Sequence, residues 1–221
     1  MSRMNMVTIT CPNCGKEHPY KIWESINTKL DPEMKAAVKD RSAFTFECPD
    51  CGVKTRVDYG FLYHQMEDHM MIFYSQTDEN AEEIYNMIKD ESPNSLFKTM
   101  KEENYLIRIV RSQDELLEKI NIFDEGLDDR IIEIIKFMYM SIYQHDNPDA
   151  QRVMLFYIKR DDKHSLEIIA DNQYKGYFTI TQEMYENICK EHLEKLPDIR
   201  KDVPFINCSW AMDKLDLFKK V

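Results

Sequence analysis

A chain of 221 residues, 43% hydrophobic and 31% charged, can bury one or two cores and has the balance of a globular protein rather than a disordered or fibrous one. Only five glycines are present, which argues against Gly-rich phosphate loops and long flexible linkers. The net charge of −11 is uneven: residues 1–60 hold 9 Lys+Arg against 8 Asp+Glu, and residues 61–221 hold 20 against 32, a balance that counts against phosphate-driven nucleic-acid binding.

In chain order, Val7 to Thr10 reads as a short strand entering a CPNCG motif at 11–15, and Tyr20 to Asn27 as a second strand. Asp31 as N-cap and Pro32 at the first helical position predict a short helix to about Lys39. Ala43 to Glu47 leads as a strand to CPDCG at 48–52, and Val53 to Asp58 alternates as its return. Met70 to Tyr74 is a further strand. Asn80 to Glu91 places Ala81, Ile84, Tyr85 and Ile88 on one helical face. After a strand at Tyr105–Val110, Ser112 and Glu115 form a capping box that opens a helix ending near Gly126.

Asp128 and Asp129 suit the positive end of a following helix, which runs to about Gln144. Ile131, Ile134, Ile135, Met138 and Ile142 make it apolar nearly all round, which marks it as central. Asn147-Pro148 breaks it. Strands at Val153–Lys159, Leu166–Ala170 and Gly176–Ile180 then form a meander, and a last amphipathic helix covers Gln182 to Leu196. The fold class is α+β: an N-terminal zinc-ribbon-like β module (1–60), a region of helices with short strands (61–146), and a C-terminal β-meander plus helix (147–221).

The strongest chemical signal is the pair of CxxC motifs. Each tightens into a turn that aims two thiolates at one point, and the Gly after it permits the positive φ such a turn needs. Cys11, Cys14, Cys48 and Cys51 then complete a tetrahedral zinc site. The 33 residues between the motifs exceed the usual ribbon spacing, and the helix at 31–39 accounts for the excess. Zinc is favoured over a redox role, because a thioredoxin-like CxxC occurs once and near a βαβ pattern. It is also favoured over an iron–sulfur cluster or unliganded cysteines. Four protein ligands leave no open position, so the expected role is structural. Four thiolates on one dication carry −2, so even the first sixty residues have no cationic excess.

The paired Cys-Pro-x-Cys motifs resemble the CpXC family of prokaryotic proteins. ESIN at 24–27, DYGFLYHQM at 58–66, MIFY at 71–74 and RIVRSQDELLEKINIFDEGLDDRIIEIIK at 108–136 also look like that family, so the likeness covers about residues 7–136. It implies a bacterial zinc-binding domain and lends weight to the four cysteines, but it implies no reaction.

Weaker constellations have plainer readings. His64, Glu67, Asp68 and His69 suggest a second metal or an acid–base pair, but lack HExxH spacing; a polar turn is favoured. Arg130 and Glu133, one helical turn apart, are explained by an i,i+3 ion pair. Arg108 and Arg111 pair with nearby acids rather than bind an anion. Cys189 and His192 fall in an apolar stripe and read as core, and Cys208 as buried. No GxSxG, P-loop or dinucleotide fingerprint is present.

The N-terminus lacks an apolar run long enough for a signal peptide, and no stretch suits a membrane span, so a cytoplasmic setting is expected. The expected function is a non-catalytic protein-interaction or accessory module with a structural zinc site. A nucleic-acid-associated ribbon and a thiol redox sensor or enzyme are the alternatives.

Overall fold

The structure is a computed structural model that describes residues 2–218; residues 219–221, the end of the expected C-terminal segment, lie outside the described residues. The chain is α+β and divides into two compact units, residues 1–113 and 114–221.

In the first unit, β1 (Arg3–Thr10) and β2 (Glu17–Asn27) form an antiparallel hairpin, and β3 (Thr45–Glu47) with β4 (Lys54–Arg56) forms a second. Between them lie α1 (Glu33–Lys39) and a 3-10 turn over Ser42–Phe44. Helix α1 starts one residue later than the sequence suggests: Pro32 is its N-cap, and Asp31 contributes only its carbonyl, which accepts from the Met34 N–H at 3.0 Å. The 3-10 turn takes Ala43 and Phe44 out of the expected strand.

The first hairpin continues into a five-stranded sheet of order β1-β2-β5-β6-β7, completed by β5 (Phe61–Gln65), β6 (Met70–Tyr74) and β7 (Leu106–Val110). β5 pairs parallel to β2 and antiparallel to β6, and β6 pairs parallel to β7. A parallel neighbour needs a crossover, supplied between β6 and β7 by α2 (Asp78–Lys89) and α3 (Leu96–Glu102). All five residues of β7 are buried, as expected of a covered parallel strand. Gly60 precedes β5 because a Cβ there would meet the Tyr74 carbonyl oxygen at 2.8 Å.

The second unit is built on α4 (Gln113–Asp124) and α5 (Asp129–Asp146), a meander of β8 (Val153–Arg160), β9 (Lys163–Ala170) and β10 (Gln173–Thr179), and helices α6 (Gln182–His192) and α7 (Cys208–Phe218). Ile122, Ile131, Ile134, Ile135, Tyr157, Leu166 and Trp210 share one core. Asp128 caps α5, its side chain accepting from the Arg130 N–H.

Residues 129–136 are all buried, so α5 is central as its sequence suggests. Its second half is not apolar all round in position: Met138 and Ile142 are 41% and 53% exposed. The charged residues of the first half are the ones that are inside. Asp129, Glu133 and Lys136 of α5 meet Glu118 and Lys119 of α4, with Lys119 at 3.0 Å from Asp129 and 3.1 Å from Glu133, and Lys136 at 2.9 Å from Glu118 and 3.1 Å from Glu133. Glu118 also accepts the Tyr157 backbone N–H at 2.6 Å. That donor lies on β8, an edge of its sheet, so a carboxylate covers part of the edge.

The Arg130–Glu133 pair expected from i,i+3 spacing is not the partnering found. Arg130 binds Asp128 at 2.7 Å and Asp202 at 3.2 Å, while Glu133 turns to the two lysines. Packing against α4 and the 197–202 segment offers buried opposite charges that a local neighbour cannot match.

Candidate metal centre

Each hairpin of the first unit carries one knuckle at its tip. β1 and β2 close on the pair Thr10↔Glu17, and β3 and β4 on Glu47↔Lys54, so residues 11–16 and 48–53 form loops of equal length. The loops fold alike. The Cys11 N–H donates to the Lys16 carbonyl at 2.9 Å and the Gly15 N–H to the Cys11 carbonyl at 3.0 Å; the Cys48 N–H donates to Val53 at 2.9 Å and the Gly52 N–H to Cys48 at 2.8 Å. Gly15 and Gly52 take φ of +72° and +71°.

An added Cβ at Gly52 would meet nothing within 4 Å, so Gly52→Ala carries only the conformational cost of a left-handed residue. A loss of about 1–2 kcal/mol is expected in denaturant unfolding of the first unit. An unchanged midpoint would mean that the knuckle does not need this conformation.

The two tips bring four sulfurs together. Cys11 Sγ lies 3.6 Å from Cys51 Sγ, Cys14 Sγ lies 3.7 Å from Cys48 Sγ, and all four lie within 4.8 Å of one another. These separations are far beyond a disulfide of about 2.05 Å. They match the edge of about 3.8 Å of a tetrahedron whose corners stand about 2.3 Å from a central cation. The four cysteines are therefore close enough to hold one metal ion.

Cys11 and Cys48 are buried with Phe46 in a small core flanked by Ile9, Tyr20, Val53 and Val57, whereas Cys14 and Cys51 face solvent. Four thiols this close do not ionise independently. Cys11 is held below the ordinary thiol value, first by the Cys14 backbone N–H, and Cys51 is lowered to about 6, first by the Asn13 side chain and then by the Val53 N–H. The Lys16 backbone N–H favours a Cys14 thiolate, yet partial desolvation by the surrounding knuckle and the three neighbouring thiols push it up to about 12.

A second group converges beside the first: His18 Nε2 lies 3.5 Å from Cys48 Sγ and 3.1 Å from Asp50 Oδ2, and Lys16 Nζ lies 2.5 Å from Asp50 Oδ1. The sequence reading passed over these residues. Their signal is modest: Asp50 is the middle residue of the second motif, and His18 follows Cys14 by four positions.

The other candidates do not converge. Among the described residues, only the four-cysteine group and His18–Cys48–Asp50 bring three or more His, Cys, Asp or Glu ligand atoms close enough for a metal. His64 lies on β5 with its Nε2 3.1 Å from the Tyr105 hydroxyl; Glu67 accepts from Thr28 Oγ1 at 3.1 Å, Asp68 accepts from Gln65 Nε2, and His69 stacks on Tyr105. Arg111 pairs with Asp78 at 2.7 Å, and Arg108 is buried in β7. Cys189 on α6 is partly buried against the second unit's core and His192 is buried, while Cys208, only half-buried, opens α7.

No helix among the described residues is long and apolar enough to cross a membrane. The family model described as CpXC protein matches residues 9–136, a span that includes both knuckles and ends at Lys136 of the buried ion network. No curated protein and no solved structure matches the chain.

Proposed function

The chain belongs to the CpXC family, and from that premise we propose that it is a non-catalytic accessory or protein-interaction module whose N-terminal hairpins are fastened by a structural zinc ion on Cys11, Cys14, Cys48 and Cys51. The carrying observation is the approach of four sulfurs from two matched knuckles, with two pairs across the knuckles at 3.6 and 3.7 Å. Thiolate donors in a tetrahedral set suit zinc, and a shell filled by four protein ligands leaves no position for substrate or water. The metal is needed because β3 and β4 have three residues each and bury little beyond Phe46. Such a hairpin is marginal by itself, and metal binding supplies folding energy. The reading sets the protein in the cytoplasm, where thiols stay reduced.

The test is elemental analysis of protein purified without added metal, with free thiols counted before and after chelation. One zinc per chain and four thiols unmasked on its removal are expected. Protein isolated with disulfides and no metal would overturn the reading.

The exposed Cys51, with its lowered pKa, supports a second reading as a thiol redox sensor. Mild peroxide would then release zinc and form a disulfide that a thiol reductant reverses. Zinc retained under peroxide removes this reading and leaves the structural one.

A further inference from the structure

The middle residue of the CPxC motif differs between the knuckles, Asn13 in the first and Asp50 in the second. Asp50 does not serve its own knuckle. Its two carboxylate oxygens reach across to the last residue of the other loop and the strand after it, taking Lys16 Nζ at 2.5 Å and His18 Nε2 at 3.1 Å. His18 is confined: its side chain is 12% exposed and its ring lies 5.8 Å from that of Phe46, which also packs with Cys11 and Cys48. The same Nε2 stands 3.5 Å from Cys48 Sγ. A carboxylate and a thiolate are both acceptors, so the nitrogen between them carries the proton.

We infer that His18 shares its single Nε2–H in a three-centre hydrogen bond between Asp50 Oδ2 and the Cys48 thiolate, and acts as a positioning residue that slows metal exchange at the four-cysteine site. This rests on the reading that the site binds zinc. A ligating thiolate that accepts a hydrogen bond gives up part of its charge to the donor and is fixed in direction, which strengthens the site as outer-shell partners generally do. The contacts also tie the two knuckles directly, since Lys16 and His18 follow the first and Asp50 lies within the second. His18 and Pro49 line a groove of about 620 Å³ together with Phe46 and Trp23, so the imidazole borders that opening while its Nε2 lies 3.5 Å from buried Cys48. The Lys16 ammonium on Asp50 disfavours a second cation at His18–Cys48–Asp50, and a donor to the thiolate is the use this geometry leaves.

The experiment compares zinc-loaded full-length wild type, His18→Phe and His18→Gln for the rate of zinc transfer to a chromophoric chelator in excess. Phenylalanine keeps a ring against Phe46 without an N–H; glutamine places an amide N–H near the Nε2 position. Release from His18→Phe is expected to be at least about 10-fold faster than from wild type, with His18→Gln within about threefold of it, following the range for outer-shell partners. In the cobalt-substituted protein the sulfur-to-metal charge-transfer band should move to longer wavelength in His18→Phe only, because a thiolate that loses its donor is easier to oxidise. Wild-type release from His18→Phe, or equal acceleration in both variants, overturns the inference. A separate check needs no substitution: nitrogen-15 NMR of the zinc-loaded wild type should show the His18 proton on Nε2, and a proton on Nδ1 alone overturns it. If wild type binds no zinc, the metal reading itself fails, which is a distinguishable result.

Discussion

Cys48→Ser is expected to abolish stoichiometric zinc binding and to unfold the β3–β4 hairpin while leaving β5, β6 and β7 folded. Cys48 is buried, supplies one of the four clustered sulfurs and packs with Cys11 and Phe46. A serine hydroxyl does not ionise near neutral pH and is a poor replacement for thiolate. Structural zinc contributes on the order of 10–16 kcal/mol of apparent binding energy in small zinc modules, so under the proposed zinc reading losing the shell would remove the main term that folds the hairpin. The backbone left behind has three ladder pairs, Thr45↔Arg56, Phe46↔Thr55 and Glu47↔Lys54, fewer than an isolated hairpin needs. The central strands of the five-stranded sheet have their own buried residues, Phe61, Tyr63, Ile72 and Val110 among them, and are expected to stay folded without a metal. Hydrogen exchange reads both halves: amides of residues 45–57 should lose protection, and those of 61–74 and 106–110 should keep it. Retention of one zinc per chain in the variant would sink the assignment of the four cysteines.

The second large effect is expected in the other unit. Lys136→Met leaves Glu118, Asp129 and Glu133 facing a single ammonium, Lys119, where every carboxylate side chain is at most 2% exposed. Burial by itself would lower the Lys136 pKa, yet Glu118 and Glu133 outweigh it and the group is raised. Desolvation pushes Glu118 up as well. Removing one member of such a network strands charge that water cannot reach, and a loss of about 3–5 kcal/mol is expected in denaturant unfolding. Adding Glu118→Gln should recover part of it, because the amide oxygen still accepts the Tyr157 N–H while the unpaired charge is gone. A loss for Lys136→Met below about 1 kcal/mol, the scale of exposed pairs, would mean that the network is solvated after all.

These two expectations differ in how far they are readable from the chain. The four cysteines are legible because a knuckle is a local object: CPxCG fixes its turn within six residues, and the glycine marks the positive φ. The strands read at 70–74 and 105–110 are legible as short apolar runs, and the helix read from Asp128 to about Gln144 from its acidic start, its apolar content and the Asn147-Pro148 stop. β5 is not, since FLYHQ ends in polar residues and reads as the start of a turn; it is a central strand, its Gln65 4% exposed. α7 is missed for a smaller reason: its opening signal is Asn207, whose side chain accepts from the Trp210 N–H, and no long apolar stripe follows.

Residue order alone was enough to show where the four clustered cysteines lie, that they come in two equivalent turns, and that the chain is α+β, because these follow from spacing, periodicity and turn chirality within short segments. The tertiary structure decided the partners. Which carboxylate meets Lys119, Arg130 or Lys136 depends on α4 lying against α5, and Asp50 reaches His18 only because the two hairpins place their tips side by side. A charge on a helix has a dozen possible partners along the chain. The low dielectric of a packed interior selects among them, and that environment exists only after the elements have docked.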